Sequence, residues 1–224
     1  MSKELKKKPR SSAWNRFIYE FFERSAYEQW HDGVNYDVVL YLEGEEREEA
    51  EDILIESVKK GDMWPTKGLA ALKSKKALSV LKEKIKKSWG SERIRIAEAI
   101  ETIEGSGQYI PVIIDELLRG PSPYTRLEAA MVLRKFPTPD VINALFEGIM
   151  DPDYLVRYHS SDSLLDIHGF EPEVSNFPDI FKLICSDLKS TEGKNPAEIY
   201  EQAAEMLKEL FKNKPKKPQK EDKK

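Results

Sequence analysis

One cation recurs along this chain at a fixed interval, and it limits the fold more than any other feature. Arg157 in "YLVRYHSSDSLL" lies 31 residues after Arg126 in "YTRLEAAMVL", which lies 31 after Arg95 in "RIRIAEAIET"; a further step of 28 reaches Lys67 in "PTKGLAALKS". The residue before the cation is Thr66, Ile94, Thr125 or Val156, β-branched each time. Four positions after it stand Ala71, Ala99, Ala130 and Ser161, all small. A small residue at one phase of a helix lets a neighbouring backbone approach closely. Recurrence on this period is the signature of a repeat array, in which each unit buries its apolar face against the next.

Each copy continues into a second amphipathic segment. "QYIPVIIDELLRG" carries Ile110, Ile113, Ile114, Leu117 and Leu118 at i, i+3, i+4, i+7 and i+8; Val141, Ala144, Leu145 and Ile149 follow the same phase, as do Ile180, Leu183, Ile184 and Leu188, and Leu78, Leu81 and Ile85 in the first copy. The breakers "GSGQ", "GPSP", "FPTP" and "MDPD" separate the segments. No segment alternates with period two. The pattern predicts an all-α chain: a right-handed α-solenoid of stacked helix–turn–helix repeats over 45–211.

The segment "DPDYLVRYHSSDSLLDIHG", 151–169, resembles a HEAT-like repeat of the short kind also found in bilin-lyase-type proteins, through Asp151, Pro152, Val156, Arg157, Ser161, Leu164, Leu165 and Gly169. "GPSPYTRLEAAMVL" is similar through Pro121, Pro123, Thr125, Arg126, Ala129, Ala130 and Leu133, and "SERIRIAEAIE" through Ile94, Arg95, Ala97 and Ala99. The resemblance implies a fold and leaves the function open, because such folds host scaffolds, inhibitors and a few enzymes. It also implies that the loop acid and helix arginine are a repeated structural device, the acid at a helix N-terminus and the guanidinium across the seam between repeats. His159, Asp162 and Asp166 share a helix face in this reading, as a solvated polar surface, because no third strong ligand stands at a metal-binding spacing. His168, before Gly169, is expected at a helix C-terminus.

The remaining chemistry is sparse. No phosphate-cradling glycine loop, nucleophile elbow or zinc-binding cysteine pair is present. The lone Cys185 excludes an internal disulfide and reads as a buried, inert thiol of a reducing compartment. The acids fall at phases expected to face water. No metal, cofactor or catalytic residue is expected, and the chain reads as a non-enzyme.

Charge is distributed unevenly. The whole chain is −4, but residues 1–10 carry +4 and 212–224 carry +5, which leaves −13 on 11–211. The ends read as a basic flexible tail, 1–10, and a Lys/Pro-rich disordered tail, 212–224, whose lysines attract nucleic acid weakly at most. No apolar run approaches the ~18 residues of a membrane span, and no apolar stretch follows the charged start, so a cytoplasmic chain is expected. Between tail and array, 11–44 is an aromatic capping segment holding nine of the 22 aromatics. Its stripe is Trp14, Phe17, Ile18, Phe21 and Phe22, with Ser11 or Ser12 as N-cap; Tyr19, Tyr27 and Trp30 lie off it and suit an interface.

Two function classes follow. The first is a binding scaffold, an inhibitor or immunity-type protein or an assembly factor, that engages a basic protein through an acidic concave face. Its contact residues would be Glu83, Asp115, Glu116, Asn143 and Glu147 on the second helices, with Lys182 and Ser186 also outward, and Tyr19 and Tyr27 in the cap. The alternative is a nucleic-acid-processing enzyme of the DNA glycosylase kind, for which the basic stretch "KSKKALSVLKEKIKK" would have to hold phosphates. A bilin lyase-like or chaperone factor is a further possibility.

Overall fold

A computed structural model describes residues 9–62, 64–186 and 195–213, apart from the Trp30 side chain. Residues 1–8 and 214–224 of the expected tails lie outside the described residues. Among the described residues every regular element is a helix and no strand occurs. The chain divides into two compact units, one ending at Tyr109 and one beginning at Ile110. That boundary falls inside the expected 45–211 array, within its second copy.

The first unit opens with α1, Ser12–Ile18, which runs into a single π-helical segment, Tyr19–Glu23. The Ser11 side chain accepts from the Trp14 N–H at 3.0 Å, so Ser11 is the N-cap. Trp14, Phe17 and Phe21 are buried, whereas Phe22 is partly exposed and Ile18 half-buried. The predicted stripe is therefore narrower than its spacing, because the π-helical segment changes the residues per turn beyond Ile18. Arg10 is not part of a free tail: its Nη2 donates to both Glu49 oxygens at 2.7 Å, and its guanidinium lies 4.0 Å over the Trp14 ring.

Next come α2, Ala26–Asp32, a 3-10 helix, Tyr36–Tyr41, and α3, Gly44–Lys60. Helix α3 has Glu45 and Glu46 in its first turn and Lys59 and Lys60 in its last, as the macrodipole favours. The first repeat pair follows as α4, Pro65–Leu72, and α5, Leu78–Lys84; α6, Gly90–Glu104, opens the second. Helix α4 packs on α3, α6 and the 3-10 helix. Gly68 lets α4 approach both α3 and the π-helical segment: a Cβ there would stand 3.2 Å from Cδ1 of Leu54 and 2.8 Å from Cζ of Phe21.

The second unit contains α7, Ile110–Arg119, α8, Pro123–Leu133, α9, Pro139–Gly148, α10, Tyr154–Ile167, α11, Pro178–Ile184, and α12, Pro196–Lys212. Lys212, assigned to the tail from the sequence, is thus helical. Helix α8 packs on α10 and α7 on α9, so first helices form one layer and second helices another. The breakers act as helix starts. Ser122, Thr138 and Asp153 each accept a backbone N–H of their helix, and Pro123 and Pro139 stand in the first turn. Helix α10 ends in a Schellman arrangement at Gly169, φ 72°, with Phe170 N–H to Leu165 O and Gly169 N–H to Asp166 O. The last helix, α12, packs on α11 and lays Phe211 flat on His168, 3.8 Å between ring centroids.

The repeat positions agree except at Ala71, which is half-buried. Thr66, Ile94, Thr125 and Val156 are all buried, as are Ala99, Ala130 and Ser161. Gly148 of α9 presses on α10, where a Cβ would approach the Ser160 Oγ to 2.4 Å. That Oγ is buried with no hydrogen-bond partner.

Candidate functional site

The 151–169 segment holds most of the buried polar side chains described in the second unit, and it is not a solvated face. Arg157, Ser160, Ser161, Asp162 and Ser163 are all buried; of the acids within α10, only Asp166 is exposed. The expectation fails because α10 is packed by α8, α9 and α11 together, so even its polar side faces protein. Such groups need internal partners. Ser163 donates to the Ala130 carbonyl at 2.8 Å and Ser161 to the Arg157 carbonyl at 2.9 Å. Asp162 accepts the Val174 N–H at 2.8 Å, the first N–H of a 3-10 helix, Val174–Asn176. Burial pushes the Asp162 carboxyl up to about 6, and burial lowers the pKa of His159, whose Nδ1 lies 3.8 Å from it. These groups hold the turn between α10 and α11.

The arginines are likewise committed. Arg126 forks onto Asp151, Nε to Oδ2 at 2.6 Å and Nη2 to Oδ1 at 3.0 Å, and Nη1 donates to the Gly120 carbonyl at 3.1 Å. Arg157, 1% exposed, repeats the last contact one unit on: its Nη1 donates to the Asp151 carbonyl, six residues back like Gly120, at 2.8 Å. Its other donors reach the carbonyls of Pro152, Ile184 and Ser186, at the N-terminus of its own helix and the C-terminus of α11, and Tyr200 covers it at 4.1 Å. In the first unit, Lys67 lies over Tyr36 and Arg95 over Trp64, at 5.6 and 5.5 Å. Asp151 serves the preceding repeat, while Asp153 caps the helix.

The expected contact residues fare unequally. Tyr27 is 73% exposed and stacked on His31, and Tyr19 is about half exposed. Asp115 is paired with Arg119 at 2.5 Å, and Asn143 and Glu147 are exposed on α9. Glu116 does not face outward: it is 5% exposed. It lies three residues after Ile113 and beside Leu117, so the buried arc of α7 takes it in, while Leu118, predicted to be core, faces water. Lys182 is exposed and Ser186 half-buried, its carbonyl taken by Arg157 and by the Tyr200 hydroxyl. Cys185 is half-buried at the C-cap of α11 rather than fully buried.

Glu83 is exposed, but its neighbours are basic. It pairs with Lys86 at 2.6 Å and shares a shallow groove with Lys59, Lys84 and Lys87. Of these, Lys59 pairs with Glu56 and Lys84 with Glu92; Lys82, outside the groove, pairs with Glu104. Negative charge is concentrated elsewhere. Residues 11–109 sum to −4 and 110–211 to −9.

Sequence reasoning missed the buried acids. Glu101 accepts the N–H groups of Gly107, at 2.8 Å, and Tyr109, and so holds the turn after α6. The nearby "GSG", whose N–H groups need an acceptor, was the available signal. Among the described residues no group of three or more His, Cys, Asp or Glu could hold a metal ion, and no helix is long and apolar enough to cross a membrane.

Layered helix pairs with a repeated, structurally committed cation define a helical-repeat protein. Residues 110–177, from α7 through the Val174–Asn176 turn, match the family model of HEAT repeats, and the HEAT-like character of this part of the chain is thereby shown. HEAT repeats commonly serve as protein-interaction scaffolds. No curated protein and no solved structure matches the chain.

Proposed function

We propose that the chain is a non-enzymatic scaffold whose second unit engages a basic protein through its acidic second helices, in the manner of an inhibitor or immunity-type protein. The observation that carries the reading is the excess of negative charge on 110–211 together with the half-buried Asp115 on α7 and the exposed Asn143 and Glu147 on α9. Arg157 and Asp162 of α10 support it from the other side, because both are buried and bonded to backbone groups rather than open to a substrate. A field of one sign speeds encounter with a partner of the other and weakens with salt.

The test is capture of the partner from the native host, followed by association kinetics with the protein identified. The partner is expected to be basic. Asp115→Lys with Glu147→Lys should slow association roughly tenfold and leave helix content unchanged. An acidic partner, or an association rate indifferent to both salt and the reversals, overturns the proposal. The nucleic-acid reading has its own test: DNA binding at physiological salt that depends on Lys82 and Lys86 would replace the scaffold.

A further inference from the structure

A groove of about 230 Å³ runs between α9 and α12. Its floor is apolar, made by Phe146, Met150 and Ala204. Its rim carries three exposed carboxylates, Glu147, Glu201 and Glu205. The α12 contributors, Glu201, Ala204, Glu205 and Lys208, stand at i, i+3, i+4 and i+7, so they share one helix face. This is more than a patch of acids, because the Phe146 ring offers a cation-binding face between them. The chain already uses that face: the Lys208 Nζ lies 5.2 Å over the ring and 2.7 Å from Glu205.

We propose that this groove is the receptor for one arginine side chain of a basic protein partner, and that Lys208 holds its place until the partner arrives. The inference rests on the scaffold reading and names where on the acidic surface recognition occurs. The groove has room for a single long side chain, not for a helix. An arginine stem would cover Met150 and Ala204, its planar head would lie on Phe146, and its forked donors would meet two carboxylates at once. Lysine, a point charge without that plane, reproduces less of this. Lys208 is exposed and tied only to surface groups, so an incoming guanidinium can displace it at little cost.

The test uses the full chain with nona-arginine and nona-lysine peptides at physiological salt, read by calorimetry and by the NMR signal of the Met150 methyl. Nona-arginine should bind more tightly than nona-lysine and move that methyl. Phe146→Leu, which keeps apolar volume but removes the ring, and Glu201→Gln should each weaken nona-arginine about five- to tenfold. Lys208→Gln should strengthen it several-fold, and Asp115→Asn, outside the groove, should weaken it less than Glu201→Gln does. Lys208→Gln alters only an exposed side chain, so it decides the matter even if Phe146→Leu folds poorly. If nona-arginine binds and the loss follows Asp115 while Phe146→Leu and Lys208→Gln are silent, the groove is wrong and the acidic-surface reading stands. A uniform loss at every acid with no effect of the ring, or no preference for arginine, also overturns the groove. If neither peptide binds, both proposals fall.

Discussion

At the scale of single residues, burial separates the two arginines that look alike in the sequence. Arg126 is half-buried and bonded to one carboxylate and one carbonyl, so Arg126→Ala should cost roughly 1–3 kcal/mol. Arg157 is enclosed and serves four carbonyls. Arg157→Ala should cost more, roughly 3–5 kcal/mol, and Arg157→Lys should recover little of it, because one ammonium cannot reach both helix ends. Urea unfolding of the three variants gives the order; equal losses at both positions would refute it. Asp162 makes a pH prediction. Its carboxyl holds a proton more tightly folded, at about 6, than at its ordinary 3.8, so its contribution to stability is complete below pH 4 and lost as pH rises through about 6. Arg134 opposes the shift and Glu173 adds to it. His159 runs the other way: burial lowers its pKa, so its contribution is present above pH 6.5 and lost in acid. Asp162→Asn keeps an acceptor for the Val174 N–H without the charge. It should be more stable than the parent by about 1–3 kcal/mol at pH 7.5, with the gap closing towards pH 4. A gap that stays constant with pH would show that the folded carboxyl keeps its ordinary pKa.

At the scale of elements, the helix pairs were legible because three signals agreed: apolar period, breakers and caps. Ser122, Thr138 and Asp153 cap the helices that follow "GPSP", "FPTP" and "MDPD", and removing one hydroxyl, as in Thr138→Ala, should cost about 1 kcal/mol by thermal melting. What could not be read was which polar residues a helix turns inward. Periodicity places Glu116 and Asp162 relative to their own helix, but their burial depends on how many helices surround it, which is a tertiary fact. The π-helical segment after Ile18 was hidden for the same reason, since nothing in "IYEFFER" marks a change in residues per turn. Its consequence is testable through Gly68, on which Phe21 rests. Gly68→Ala should destabilise the first unit by roughly 1–3 kcal/mol despite the better helix propensity of alanine. A stabilised variant would show that the ring moves freely.

At the scale of the whole chain, the sequence located an acidic body but not where the acid lies, because charge along the chain says nothing of what each carboxylate faces. Glu83 looks equivalent to Glu147 until its lysine neighbours are seen, and Phe146, counted as neither core nor contact, turns out to floor the groove. The way Arg126 and Arg157 are satisfied also gives the array a direction. Arg126 takes its carboxylate from the turn that begins the next unit, whereas Arg157 is closed off by the Ser186 carbonyl after α11 and by the Tyr200 ring of α12. Duplicating the 31 residues 122–152 in tandem would supply each new arginine with its own Asp151 and a carbonyl six residues back. Duplicating the stretch from 153 to 183 would leave its first arginine without the Tyr200 ring over it. The chain can therefore lengthen from its interior and not from its end, and a gene grown by tandem copying would keep its last repeat single.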